Sequence, residues 1–156
     1  MSRSVSVTSG SPRFAQNISA GPHVLQADEP REHGGTDAGP DPHELLLASL
    51  GACTAITVQM YADRKQWPLE AVHIDLSYVK IPAEDRVDSD TKPERSGIEL
   101  AISFSGALSE DQTRKLLVVA GKCPIHRLLT APVPIQTKLL APGSSDSHRG
   151  SSAIVG

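Results

Sequence analysis

The stretch from Pro40 to Trp67, Pro-Asp-Pro-His-Glu-Leu-Leu-Leu-Ala-Ser-Leu-Gly-Ala-Cys-Thr-Ala-Ile-Thr-Val-Gln-Met-Tyr-Ala-Asp-Arg-Lys-Gln-Trp, constrains this chain most. Pro40 and Pro42 make a stiff entry, Asp41 can cap a first turn, and Pro42 suits a first helical position. From Glu44 to Lys65 there is no proline and a single glycine, Gly51, and Leu45 to Tyr61 carries no charge. Apolar or small residues fall on nearly every side of such a helix, and a helix with no polar face is expected to be buried. Ser49, Thr54, Thr57 and Gln59 interrupt it, and without eighteen consecutive apolar residues it is not read as a membrane span. Cys53, one of two cysteines, sits near its middle. The expectation is a central core helix carrying a thiol.

A chain of 156 residues suits one domain with one core. Aromatic residues make up only 3% of it, so a core shared between two subunits is favoured over a well-filled monomer core. The net charge of −3 and pI near 6.0 give no electrostatic reason to expect nucleic acid or an anionic membrane as partner. No charged-then-apolar leader opens the chain, and two cysteines are too few for a disulfide scaffold. A cytoplasmic setting follows as the expectation.

In chain order, Ser4 to Thr8 alternates as a strand, Gly10-Ser11-Pro12 turns, and Arg13–Ile18 and His23–Ala27 complete an antiparallel meander. Asp28 to Pro42 is polar and glycine-rich, and reads as a loop draped over the helix entrance. After the helix, Val72–Ile81 and Ile98–Phe104 alternate as strands around a charged hairpin loop, residues 82–96. Ser109 with Gln112 three positions on forms a capping box for a second helix reaching about Lys122, where Cys123-Pro124 ends or kinks it. His126–Thr130 is read as a further helical turn and Val133–Leu140 as a last strand. The fold class is α+β: antiparallel strands wrapped around a long buried central helix and a second helix. Residues 1–140 are expected to form a single domain and 141–156 a polar flexible tail.

Two segments carry a family resemblance. Gly34 to Thr54, followed by Met60-Tyr61-Ala62-Asp63-Arg64-Lys65-Gln66-Trp67-Pro68-Leu69-Glu70, resembles the OsmC-like proteins. Lys122-Cys123-Pro124-Ile125-His126-Arg127 is similar to that family's second cysteine segment. The resemblance runs from Val5 to Leu140, and Ala-Asp-Arg-Lys-x-Trp-Pro is most similar to the family's less characterised branch, beside OsmC itself and the organic hydroperoxide resistance proteins. It implies an intertwined homodimer and thiol-dependent reduction of organic hydroperoxides. It also implies a reactive and a resolving cysteine, an arginine and a glutamate, with no cofactor and no metal.

That chemistry requires a thiolate, whose attack on the O–O bond leaves a sulfenic acid that a second thiol converts to a disulfide. Two cysteines are the minimum for such a cycle, although without the resemblance two inert core residues are the plainer reading of them. The resemblance makes Cys53 the nucleophile and Cys123 the resolver. A cation must offset burial of Cys53, and the matching segment after the first strand makes Arg13 the candidate, with Arg31 and Arg127 as rivals and a solvated strand-edge charge as the plain alternative. The family's peroxidases carry a glutamate ten residues before the first cysteine, a place held here by His43, with Glu44 one residue later. Ten residues of helix span about 15 Å, so such a group acts through the arginine, a bent chain or the other subunit. Glu44 also reads simply as a first-turn carboxylate favoured by the helix dipole.

His126 completes a Cys123-x-x-His126 pair, too few ligands for a zinc site and more simply a structural histidine. Three functions compete: a thiol peroxidase acting on alkyl or lipid hydroperoxides with an unidentified thiol reductant, a non-enzymatic binder of a small hydrophobic ligand at the dimer cleft, and a Cys–His acyl-transfer enzyme. No phosphate loop, nucleotide fingerprint or Gly-x-Ser-x-Gly is present.

Overall fold

The computed structural model describes residues 4–82 and 94–141, which fall into two compact units. Of the described residues, the first holds 4–42 and 134–141; the second holds those of His43–Val133. Most of the expected charged loop and nearly all of the expected tail lie outside the described residues.

The first unit contains an antiparallel meander of β1 (Val5–Ser9), β2 (Gln16–Ala20) and β3 (His23–Ala27). The second strand begins at Gln16 instead of Arg13, because Gly10 N–H donates to the Ala15 carbonyl and Ala15 N–H to that of Pro12, closing a turn over those residues. Gly21, at φ +62°, takes the first position of the two-residue turn joining β2 to β3, where only glycine is unstrained. Val5, Val7, Val24 and Leu25 are all exposed on this sheet.

The glycine-rich segment that follows is more ordered than its composition suggests. Arg31–His33 forms a 3-10 turn, and the buried Asp28 carboxylate accepts the N–H groups of Glu29 (2.9 Å), Thr36 (2.9 Å) and Ala38 (3.3 Å) and the Thr36 hydroxyl (2.6 Å). A Cβ on Gly35 would lie 1.8 Å from the Glu29 carbonyl oxygen, so glycine is needed there for close approach.

The second unit is built on α1 (Pro42–Lys65), the hairpin β4 (Ala71–Pro82) with β5 (Glu94–Ser105), α2 (Glu110–Ala120) and α3 (Pro124–Leu129). The hairpin pairs Ile74 with Ile102, Leu76 with Leu100 and Tyr78 with Ile98. Its strands reach Pro82 and Glu94, farther toward the hairpin end than the alternation predicts. Val58 and Ala62 of α1 meet Leu116 and Ala120 of α2, each pair one helical turn apart, and Val72, Ile102 and Phe104 of the hairpin close over them. Full burial of Val58 and Leu116 stabilises by about 2 kcal/mol each. The capping box is present: Gln112 N–H donates to the Ser109 hydroxyl and Ser109 N–H to the Gln112 side chain.

Two expectations are corrected. Within one chain α1 buries a single stripe, Leu50, Gly51, Thr54, Val58 and Ala62, while Leu46, Ile56 and Met60 are exposed. One hairpin and two short helices can cover only one side of a 24-residue helix. By length and a mean hydropathy of 1.6 this helix could cross a membrane, but its inner stripe packs into the core just described. Secondly, Val133–Leu140 forms no strand, although its side chains alternate: a strand requires a partner edge, and Val133, Ile135, Leu139 and Leu140 are exposed instead.

Candidate active site around two cysteines

Pro124 shapes the second cysteine segment. The residue before a proline is driven to extended backbone, and Cys123 has φ −62° and ψ 146°. The chain leaves α2 at Gly121, and Pro124 starts α3 at a position where its missing N–H costs nothing. Cys123 thereby becomes the N-cap of α3, its sulfur accepting the His126 N–H at 3.2 Å. The same sulfur accepts the Thr54 hydroxyl at 3.2 Å, and both Cys123 and Thr54 are 0% exposed.

Cys53 directly precedes Thr54 on α1, is half-buried, and like Cys123 carries a free thiol. Successive residues of a helix point about 100° apart, so Thr54 faces Cys123 and Cys53 is turned to one side of that contact. Standard chain dimensions hold the Cys53 Cα within about 10 Å of the Cys123 sulfur. The fold thus brings the two cysteine segments, 70 residues apart in the chain, to adjoining positions.

The other expected site residues are placed as follows. Glu44 is exposed in the first turn of α1, about 14 Å along the axis from Cys53, so it is not brought to that thiol within its own chain. His43 packs edge-on against Tyr78 at 5.5 Å, and its carbonyl accepts the Tyr78 hydroxyl at 3.3 Å. Arg127 is exposed on α3. Arg13 and Arg31 belong to the first unit, the cysteines to the second. Arg13 is exposed between β1 and β2, its guanidinium 5.1 Å from the centre of the Phe14 ring. Among the described residues no group of three or more His, Cys, Asp or Glu side chains is placed to hold a metal ion.

His126 contributes its backbone N–H to Cys123, and the residue also lines a cavity of about 340 Å³ together with Leu50, Tyr78, Ile98, Leu100 and Leu129. Neither cysteine lines that cavity. Thr54 is the residue that sequence reasoning overlooked. A hydroxyl on the helix stripe shared with Leu50 and Val58 has to find a partner once buried, but only the structure shows which stripe of α1 is buried.

Residues 34–138 match the family of OsmC-like proteins. The chain belongs to that family. Solved structures carry the same fold as this OsmC-like chain. An OsmC-like protein from Mycoplasma pneumoniae is 18% identical over 83% of this chain and 88% of its own, with a TM-score of 0.64. An organic hydroperoxide resistance protein OsmC from Legionella pneumophila is 20% identical over 83% and 89%, with a TM-score of 0.60. The organic hydroperoxide resistance protein OhrB of Bacillus subtilis is 18% identical over 82% and 90%, with a TM-score of 0.54. No curated protein matches the chain. The α+β class, the antiparallel strands and the long helix expected for an OsmC-like protein are therefore present.

Proposed function

We propose that this OsmC-like protein is a thiol peroxidase that reduces alkyl or lipid hydroperoxides. The observation that carries the reading is the Cys123 sulfur, buried and bonded to Thr54, the residue next to Cys53. In the proposed cycle the Cys53 thiolate attacks the O–O bond; an alcohol leaves with one oxygen, and the other stays on Cys53 as a sulfenic acid. Cys123 then displaces that oxygen as water, forming a disulfide, and an external thiol reductant restores both thiols. Half-burial of Cys53 suits the first step, and the proximity of the cysteine segments suits the second.

Arg13 is proposed as the cation serving Cys53, and Glu44 as the carboxylate that orients it from the same chain or a partner's. The active form is proposed to be an intertwined homodimer in which residues 1–140 act as one domain, with a cytoplasmic location and neither nucleic acid nor membrane as partner. Supporting the dimer are the exposed Leu46, Ile56 and Met60 on α1, the apolar side chains on the meander, and Ile135 and Leu139, 87% and 101% exposed. A second copy of the chain would cover all three.

One equivalent of cumene hydroperoxide per chain, followed by free-thiol titration, tests the reading. Loss of two thiols is expected; no loss would overturn it. A second reading, a non-enzymatic binder of a small hydrophobic ligand, is favoured by the largely apolar cavity that neither cysteine lines. It predicts saturable binding of a fatty acid that the double cysteine variant retains, with no thiol consumption.

A further inference from the structure

We infer that Thr54 is a positioning residue for the cysteine pair, its hydroxyl holding the Cys123 sulfur in the reduced state and weighting the dithiol against the disulfide. The inference rests on the thiol-peroxidase reading and concerns a residue to which the proposed cycle assigns no role.

A threonine within a helix has an easy local partner, the carbonyl one turn earlier. Thr57 takes it, donating to the Cys53 carbonyl at 2.7 Å. Thr54 does not; its proton goes across to Cys123 at 3.2 Å. Its companions on the buried stripe are Leu50, Gly51, Val58 and Ala62, none with a polar side chain, and the hydroxyl is bonded to the sulfur. The His126 N–H completes the cradle at 3.2 Å. Among the described residues no buried side-chain nitrogen or oxygen is left without a partner.

Joining Cys123 to Cys53 requires the sulfur to leave Thr54 and swing about 100° around α1, until it stands about 2.05 Å from the other sulfur. The Thr54 bond to the sulfur is then lost, and the hydroxyl is left with the Leu50 carbonyl one turn earlier. Thr54 therefore stabilises the dithiol and not the disulfide. One net hydrogen bond is worth roughly a threefold to tenfold change in equilibrium, or up to about 30 mV for a two-electron couple.

The test uses the full chain as wild type, Thr54→Val and Thr54→Ser. Each is equilibrated without oxygen in mixtures of reduced and oxidised glutathione. The glutathione S–S bond breaks as the Cys53–Cys123 bond forms, and two electrons and two protons pass to two glutathione molecules. Alkylation and intact mass read the fraction of disulfide. Valine keeps the shape of threonine and loses the donor; serine keeps the donor and loses the methyl group. The expected result is a shift toward disulfide in Thr54→Val of roughly threefold to tenfold, with Thr54→Ser close to wild type. A Thr54→Val equilibrium equal to wild type, or shifted toward the dithiol, overturns the inference; so does a Thr54→Ser shift matching that of valine, which would mark a packing effect. Should Thr54→Val fail to fold, Thr54→Ala against Thr54→Ser carries the same comparison. A wild type that forms no intramolecular disulfide at any ratio overturns the peroxidase reading and this inference together, whereas a disulfide insensitive to residue 54 overturns this inference alone.

Discussion

The Thr54 hydroxyl meets the Cys123 sulfur at 3.2 Å, joining the buried stripe of α1 to the N-cap of α3. That contact sets Cys123 beside the residue following Cys53 and gives the two thiols different surroundings, one half-buried and one fully enclosed.

The difference predicts separate roles on substitution. Cys53→Ser should abolish hydroperoxide consumption, a loss of more than about a hundredfold for removal of a nucleophile. Cys123→Ser should still allow one attack and leave a sulfenic acid on Cys53, trapped by dimedone and located by peptide mass. Dimedone label on Cys123 in the Cys53→Ser protein would reverse the assignment.

Cys123 also has a structural task, because its sulfur caps α3. Replacing an N-cap by alanine costs about 1 kcal/mol, whereas serine keeps an acceptor. Urea titration should therefore rank Cys123→Ser above Cys123→Ala in stability by about that amount. Equal midpoints would show that the cap adds nothing.

Asp28 predicts an acid-sensitive loop. The Thr36 hydroxyl is the main cause that lowers its carboxyl from 3.8 to about 2; burial opposes this, and the N–H groups of Thr36, Ala38 and Glu29 support it. Because the folded value lies below the unfolded one, the stability it contributes is complete above about pH 4 and is lost as pH falls toward 2. Amide exchange at Thr36 and Ala38, corrected for intrinsic rates, should accelerate through that window, and Asp28→Asn should be flexible at every pH. Unchanged protection down to pH 2 would contradict the assignment.

The exposed apolar face of α1 predicts a homodimer. Ile56→Glu with Met60→Glu should dissociate it by sedimentation and leave an aggregation-prone chain, since charges there would be desolvated on association. A wild-type chain that sediments as a stable folded monomer at micromolar concentration would rule the dimer out.

Much of the local structure was legible in the residues. The Ser109–Gln112 box, the proline stop after Cys123 and the alternation of Val72, Ile74, Leu76 and Tyr78 each depend on neighbours within a few positions, and each is present. The lost strand at 133–140 shows the limit of such signals: alternation describes a segment able to pair, while pairing depends on an edge elsewhere.

What the sequence determined by itself was the identity and the extent of most elements, together with the family segments around Cys53 and Cys123. Their local physics is carried by caps, prolines and side-chain periods that act over one or two turns. What the tertiary structure decided was the phase of α1. A helix apolar on every side contains no polar stripe to mark its outer face, so nothing in Leu45–Tyr61 distinguished Cys53 from Thr54 as the inward residue. The packing of Val58 and Ala62 onto Leu116 and Ala120 made that choice, turning Thr54 inward to meet a sulfur that arrives from 69 residues farther along the chain.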